Sequence, residues 1–149
     1  MKLKVSVPID APKEDIWRVM TDFEHEAENL SHVNNVKIIE NPNHSLDGLK
    51  WTETRTVLGD TETAEFCVID YRKNSFLKTH SESHGRRRDA TYSIKQEGDH
   101  NLLSVNYESR PYKLTARLST ILFGRLNKVT ARRSLIDDLN DIKLLVEHH

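Results

Sequence analysis

At 149 residues, with 36% hydrophobic and 30% charged residues, the chain is sized for a single domain over residues 1–149 with one core. A net charge of −1 supplies no global field to attract nucleic acid or acidic lipid, and no nucleic-acid partner is expected. Cys67 is the one cysteine, which excludes an intrachain disulfide and fits a reducing compartment.

The opening Met1-Lys2-Leu3-Lys4-Val5 turns polar at once and lacks the apolar core of a signal peptide. No apolar run approaches the ~20 residues that cross a bilayer. The expected setting is the cytoplasm, without integral membrane association, as a monomer or homodimer. His148 and His149 are either the stub of a purification tag or native, and are set aside.

Lys2 to Ile9 alternates and reads as a strand. Asp10-Ala11-Pro12 is a helix start, with a capping side chain and a proline in the first turn. Lys13 to Phe23 places Ile16, Trp17, Met20 and Phe23 at helical spacing, and a second short surface helix is expected over Glu24 to Leu30. After Val33 the period changes to two. Strands are expected over Val36–Glu40, Leu49–Leu58, Thr63–Tyr71, Phe76–His84, Asp89–Gln96 and Leu102–Glu108, joined by Asn, Asp and Gly turns. Short turns make these six an antiparallel meander with one covered face.

Leu114 to Val146 reads as one long helix. Leu114, Leu118, Leu122, Val129, Leu139 and Ile142 belong to its apolar stripe, while Arg132, Asp137, Asp138 and Asp141 fall mostly on the other side. About 33 residues at 1.5 Å each give roughly 50 Å, enough to cover the sheet.

This order resembles the START-like, or Bet v 1-like (SRPBCC), superfamily, and within it the polyketide cyclase/dehydrase and lipid-transport group. The best-matching pieces are Ala11-Pro12-Lys13-Glu14-Asp15-Ile16-Trp17, Thr21-Asp22-Phe23, Trp51-Thr52-Glu53-Thr54-Arg55 and Leu135 to Lys143. The resemblance implies an α+β helix-grip fold. A seven-stranded antiparallel curved sheet would wrap a long C-terminal helix, with two short helices between strands 1 and 2. It also implies a small-molecule site, because a curved sheet and a straight helix leave a gap.

The candidate site follows from alternation. If Trp51 faces that gap, Glu53 and Arg55 do too, and can pair while leaving edges free for a ligand's carbonyl or hydroxyl. The plainer reading is a structural ion pair at the rim. Phe66, Tyr92, Tyr107, Leu118 and Leu122 would add apolar walls around the ligand. Tyr92 and Tyr107 could equally be core residues with one hydrogen bond each.

His80, Glu82 and His84 share a strand face, but the outer two lie about 13 Å apart at ~3.3 Å per residue, too far for one zinc. A solvated face is expected there, with Leu77, Thr79, Ser81 and Ser83 suited to the cavity side. Arg86-Arg87-Arg88 reads as a solvated turn that could touch an anionic ligand head or a partner, and Cys67 as a small buried hydrophobe. The sequence carries no phosphate loop, nucleophile elbow, zinc-spaced cysteines or dinucleotide fingerprint. No cofactor or metal is expected, and no catalytic residue is assigned.

Three functions remain open. The first is binding or transport of a hydrophobic or amphipathic molecule, such as a lipid, quinone or polyketide-like ring compound. The second is a cyclase or dehydratase, with Glu53 as proton carrier and Arg55 as carbonyl polariser. The third is a protein-interaction module with a filled cavity.

Overall fold

The computed structural model describes residues 1–83, 85–112 and 114–148, with side chains described outside 114–127. Strand β1 (Lys2–Ile9) leads into helix α1 (Lys13–Met20), a short 3-10 turn (Phe23–His25) and helix α2 (Glu26–Asn29). Six strands follow: β2 (Val33–Glu40), β3 (Lys50–Val57), β4 (Asp60–Arg72), β5 (Phe76–Ser83), β6 (Arg86–Glu97) and β7 (His100–Pro111). Helix α3 (Leu114–Glu147) closes the chain. The seven strands form one antiparallel sheet in the order β1-β7-β6-β5-β4-β3-β2.

The meander sets most of that order, since each hairpin keeps its strands adjacent. Strand β1 returns to the far edge, where Leu3 pairs Tyr107 and Val5 pairs Val105. Its inward residues Leu3, Val5, Val7 and Ile9 are all buried. A β-bulge where the register shifts between Val68 and Asp70 bends β4, and two more interrupt β2 against β3. Bulges of this kind add local twist and curl a sheet.

Helix α3 covers the concave side through Leu135, Leu139, Ile142 and Val146, all buried, and α1 packs beside it with Ile16, Trp17 and Met20. Val129, expected in the apolar stripe, is exposed. Asp138, expected on the polar side, is buried. Asp138 lies three residues after Leu135 and four before Ile142, so it falls within the buried stripe.

Three local expectations are corrected. Helix α1 stops at Met20, and its N-cap is Pro12 with no capping side chain, so Asp10 does not cap. The Pro12 carbonyl accepts instead from the Asp15 and Ile16 amides. Strand β6 begins at Arg86, so Arg86, Arg87 and Arg88 are strand residues rather than a turn. Among the described residues, no helix is long and apolar enough to cross a membrane.

Candidate functional site

Between the sheet and α3 lies a cavity of about 420 Å³. Its apolar floor comes from alternate residues of four strands, which strand pleating turns to one face. Trp51 on β3 lies opposite Phe66 on β4, and Leu77 on β5 opposite Tyr92 on β6. Phe23, Trp51 and Phe66 stack in series, with ring centroids 4.1 and 5.6 Å apart. Trp51 is 2% exposed, and its indole nitrogen has no hydrogen-bond partner.

A polar belt adjoins this floor. Arg55 Nε donates to Glu53 Oε2 at 3.1 Å, and Nη1 donates to Ser134 Oγ at 3.0 Å and to Asp138. Next along, Glu62 on β4 lies directly across from Arg55. Arg88 Nη1 donates to Glu62 at 2.6 Å and to Ser83 Oγ at 3.0 Å, while the Ser83 hydroxyl donates to Glu62. Arg86 Nε donates to Ser109 Oγ at 2.9 Å. The belt therefore runs from α3 across β3, β4, β5 and β6 to β7, with charges of both signs.

Burial governs its protonation. It pushes the Asp138 carboxyl up to about 6, against the opposing pull of Arg55. Burial and then the neighbouring Glu53 charge push Glu26 well above the usual carboxylate range. Glu53 faces Glu26, and its charge adds to the burial that favours a protonated Glu26 carboxyl. Burial tends to discharge Arg55, but Asp138 and Glu53 outweigh it and hold the guanidinium charged. Burial likewise keeps the Tyr92 and Tyr107 hydroxyls protonated.

Trp51, Glu53, Arg55, Phe66, Tyr92 and Tyr107 all line the cavity, as do Leu77, Thr79 and Ser81. Leu118 and Leu122 lie outside the residues whose side chains are described, as does His84.

Sequence reasoning missed Glu26, Glu62, Arg88 and Asp138. Helix α2 was expected at the surface because its apolar content is thin. Its four residues carry no periodic signal, yet the Glu26 carboxyl turns inward to the cavity wall. For Arg86 and Arg88 a signal existed, since they continue the alternation of Ala90 and Tyr92 upstream. Both are half-buried at the cavity wall, so reading them as a solvated turn is corrected.

On the convex face, His80 Nδ1 lies 2.7 Å from Asp89 and Nε2 lies 3.2 Å from Glu82. Cys67 stands directly opposite His80 in the β4–β5 register and is half-buried rather than core. It sits on the outward side because its neighbour Phe66 takes the inward one. With both imidazole nitrogens engaged by carboxylates, His80 offers Cys67 no free base, and burial pushes the thiol up. Among the described residues, no group of three or more His, Cys, Asp or Glu side chains could hold a metal ion.

The fold is shared with several solved structures. A START superfamily protein from Mycobacterium smegmatis superposes with a TM-score of 0.80 at 17% identity, over 98% of this chain and 97% of that one. The Zhui aromatase/cyclase from Streptomyces sp. R1128 gives 0.77 at 15% identity, over 99% and 93%. The di-domain ARO/CYC BexL from the BE-7585A biosynthetic pathway gives 0.81 at 15%, and this chain spans all of itself but half of BexL. No protein-family model and no curated protein matches the sequence. The likeness, together with the seven-stranded sheet and its closing helix, establishes a START-like, Bet v 1-like (SRPBCC) helix-grip fold.

Proposed function

We propose that this protein binds an amphipathic small molecule, with a hydrophobic body and a polar group, in the cavity between the sheet and α3. The observation that supports this reading is the cavity itself: an apolar floor of stacked rings beside a belt of buried charges. About 420 Å³ falls within the range of small-molecule sites, and few placed polar groups among apolar walls is their usual makeup. Trp51, Phe66, Tyr92 and Tyr107 would hold the body, with Leu118 and Leu122 proposed from the helix. Glu53 and Arg55 would orient the polar group. The names of the structural neighbours, a START protein and aromatase/cyclases, agree with such a role. An open cavity speaks against a filled interaction module.

Native mass spectrometry of the purified protein should reveal a co-purified molecule, and N-phenylnaphthylamine fluorescence should rise on mixing. Ala90→Phe, which projects a ring from β6 into the cavity, should abolish probe binding while leaving the circular dichroism unchanged. A wild type that carries nothing and binds no probe would refute the reading.

One observation favours a cyclase- or dehydratase-type enzyme as a second reading. Two carboxyls, Glu26 and Glu53, stand together beside the Arg55 guanidinium, groups that could move a proton and polarise a carbonyl at one place. Glu53→Gln would then lose turnover while keeping affinity.

A further inference from the structure

The acidic end of the cavity has an excess of carboxyls over cations. Glu26 on α2, Glu53 on β3 and Asp138 on α3 all line it, and Arg55 is the guanidinium among them. Arg55 is spent on the other two carboxylates, through Nε to Glu53 and Nη1 to Asp138. Glu26 receives none of the hydrogen bonds that Arg55 makes to this cluster. Its Oε2 is buried and has no hydrogen-bond partner. A buried polar atom left unpaired costs free energy, and here it lies in the wall of a cavity.

The groups facing Glu26 are Glu53 and Arg55 from β3, Asp138 from α3 and the Tyr92 hydroxyl from β6. Tyr92 stays neutral and Arg55 is already matched. The cluster therefore carries an excess of negative charge that a proton, or a cation from outside, reduces.

We propose that the Glu26–Glu53–Asp138 end of the cavity is a subsite for a protonated amine on the ligand. The ammonium would donate to the unpartnered Glu26 oxygen and displace the proton that Glu26 otherwise holds. That proton would leave to solvent, and the ligand's hydrophobic body would lie over Trp51 and Phe66. This rests on the binding function proposed above and adds the chemical class of the ligand's polar group. An acid would meet the wrong charge here, whereas an ammonium is matched by three carboxyls against one guanidinium.

The test uses a matched pair, naphthylethylamine and naphthylethanol, titrated calorimetrically into the whole protein. The amine should bind about tenfold or more tightly than the alcohol, the scale of one hydrogen bond to a charged group. At about pH 6, titrations in buffers of different ionisation enthalpy should show protons released on binding the amine and none on binding the alcohol. Glu26→Gln keeps the side-chain size but cannot ionise. It should bring the two affinities together and reduce the proton release, with the alcohol's affinity serving as the check on folding.

Equal binding of the two probes to wild type, or amine binding without proton release, would overturn the amine subsite and leave the general binding reading standing. Failure of both probes to bind would overturn both readings. A Glu26→Gln protein that keeps the amine preference would overturn the assignment to Glu26. The proton-release measurement needs no variant, so the inference is tested even if Glu26→Gln does not fold.

Discussion

Arg55 on β3 and Asp138 on α3 meet across the cavity, with Nη1 3.0 Å from Oδ1 and 2.9 Å from Oδ2. This bond ties β3, the strand beside the β2 edge, to the covering helix, while among the described residues the other sheet contacts of α3 fall chiefly on β1 and β7. The Asp138 side chain is 7% exposed and that of Arg55 22%, so neither charge is well solvated. Arg55→Met removes the cation and leaves Glu53 and Asp138 buried without their partner. A loss of about 3–5 kcal/mol is expected in urea unfolding at about pH 7. The loss should shrink in acid, where the stranded carboxyls take up protons; a loss independent of pH would show that packing, not charge, dominates at this position.

Asp138 makes its own pH signature. Its carboxyl is raised from 3.8 to about 6 in the folded protein, so between these values the folded state holds more protons than the unfolded. Its contribution to stability is therefore full below about pH 4 and is lost as pH rises through about 6, an effect of roughly 3 kcal/mol in total. Asp138→Asn should flatten that part of the profile. Subtracting the variant's unfolding free energies from the wild type's across this window isolates the site. A difference with the opposite slope would mean that Arg55, not burial, sets the Asp138 proton affinity.

The two ends of the Arg55–Asp138 bond differ in how legible they were. Strand alternation alone put Trp51, Glu53 and Arg55 on one face, because a period of two admits only two faces and Trp51 belongs inside. Asp138 was read as polar and so as outward, although its spacing from Leu135 and Ile142 placed it in the buried stripe. Residue type points outward and position points inward, and for a buried charge position is the better guide. Arg88 was lost in the same way, through three consecutive arginines that suggested a turn. Glu26 could not have been found: it sits on a single turn of helix, and what brings it inward is the path of the chain between α1 and β2, a tertiary effect with no local pattern.

His80 on the convex face should titrate abnormally. The hydrogen bond that His80 donates to Asp89, reinforced by Glu82, raises its proton affinity against a smaller loss from burial. The folded protein then holds the proton more strongly than the unfolded one. The stabilisation is present below the ordinary value of 6.5 and disappears as pH rises through the folded value. NMR titration of the imidazole should give a midpoint above 6.5, and Asp89→Asn should bring it down. The same pairing leaves Cys67 unactivated, so its alkylation should be slower than that of free cysteine at about pH 8. A midpoint unmoved by Asp89→Asn would show that Glu82 alone carries the shift.

The turn between β3 and β4 offers a gain in stability rather than a loss. Val57 pairs Asp60, leaving Leu58 and Gly59 as a two-residue loop, and both have positive φ, 51° and 84°. Two left-handed residues make a type I′ turn, whose twist suits a hairpin. Glycine enters that region freely, but a leucine there sets its Cβ against the following carbonyl, at about 1–2 kcal/mol. Nothing offsets this through packing, because Leu58 is 81% exposed. Asparagine tolerates the same conformation, and Asn-Gly is the favoured pair for this turn. Leu58→Asn should therefore raise the unfolding free energy by up to about 1 kcal/mol, seen as a higher midpoint in thermal or urea melts. Leu58→Gly should gain less, because the added freedom of the unfolded chain opposes the relief of strain. If Leu58→Asn proved less stable than wild type, Leu58 would have to be covered by something in solution, and its exposure would mark a contact rather than a strained turn.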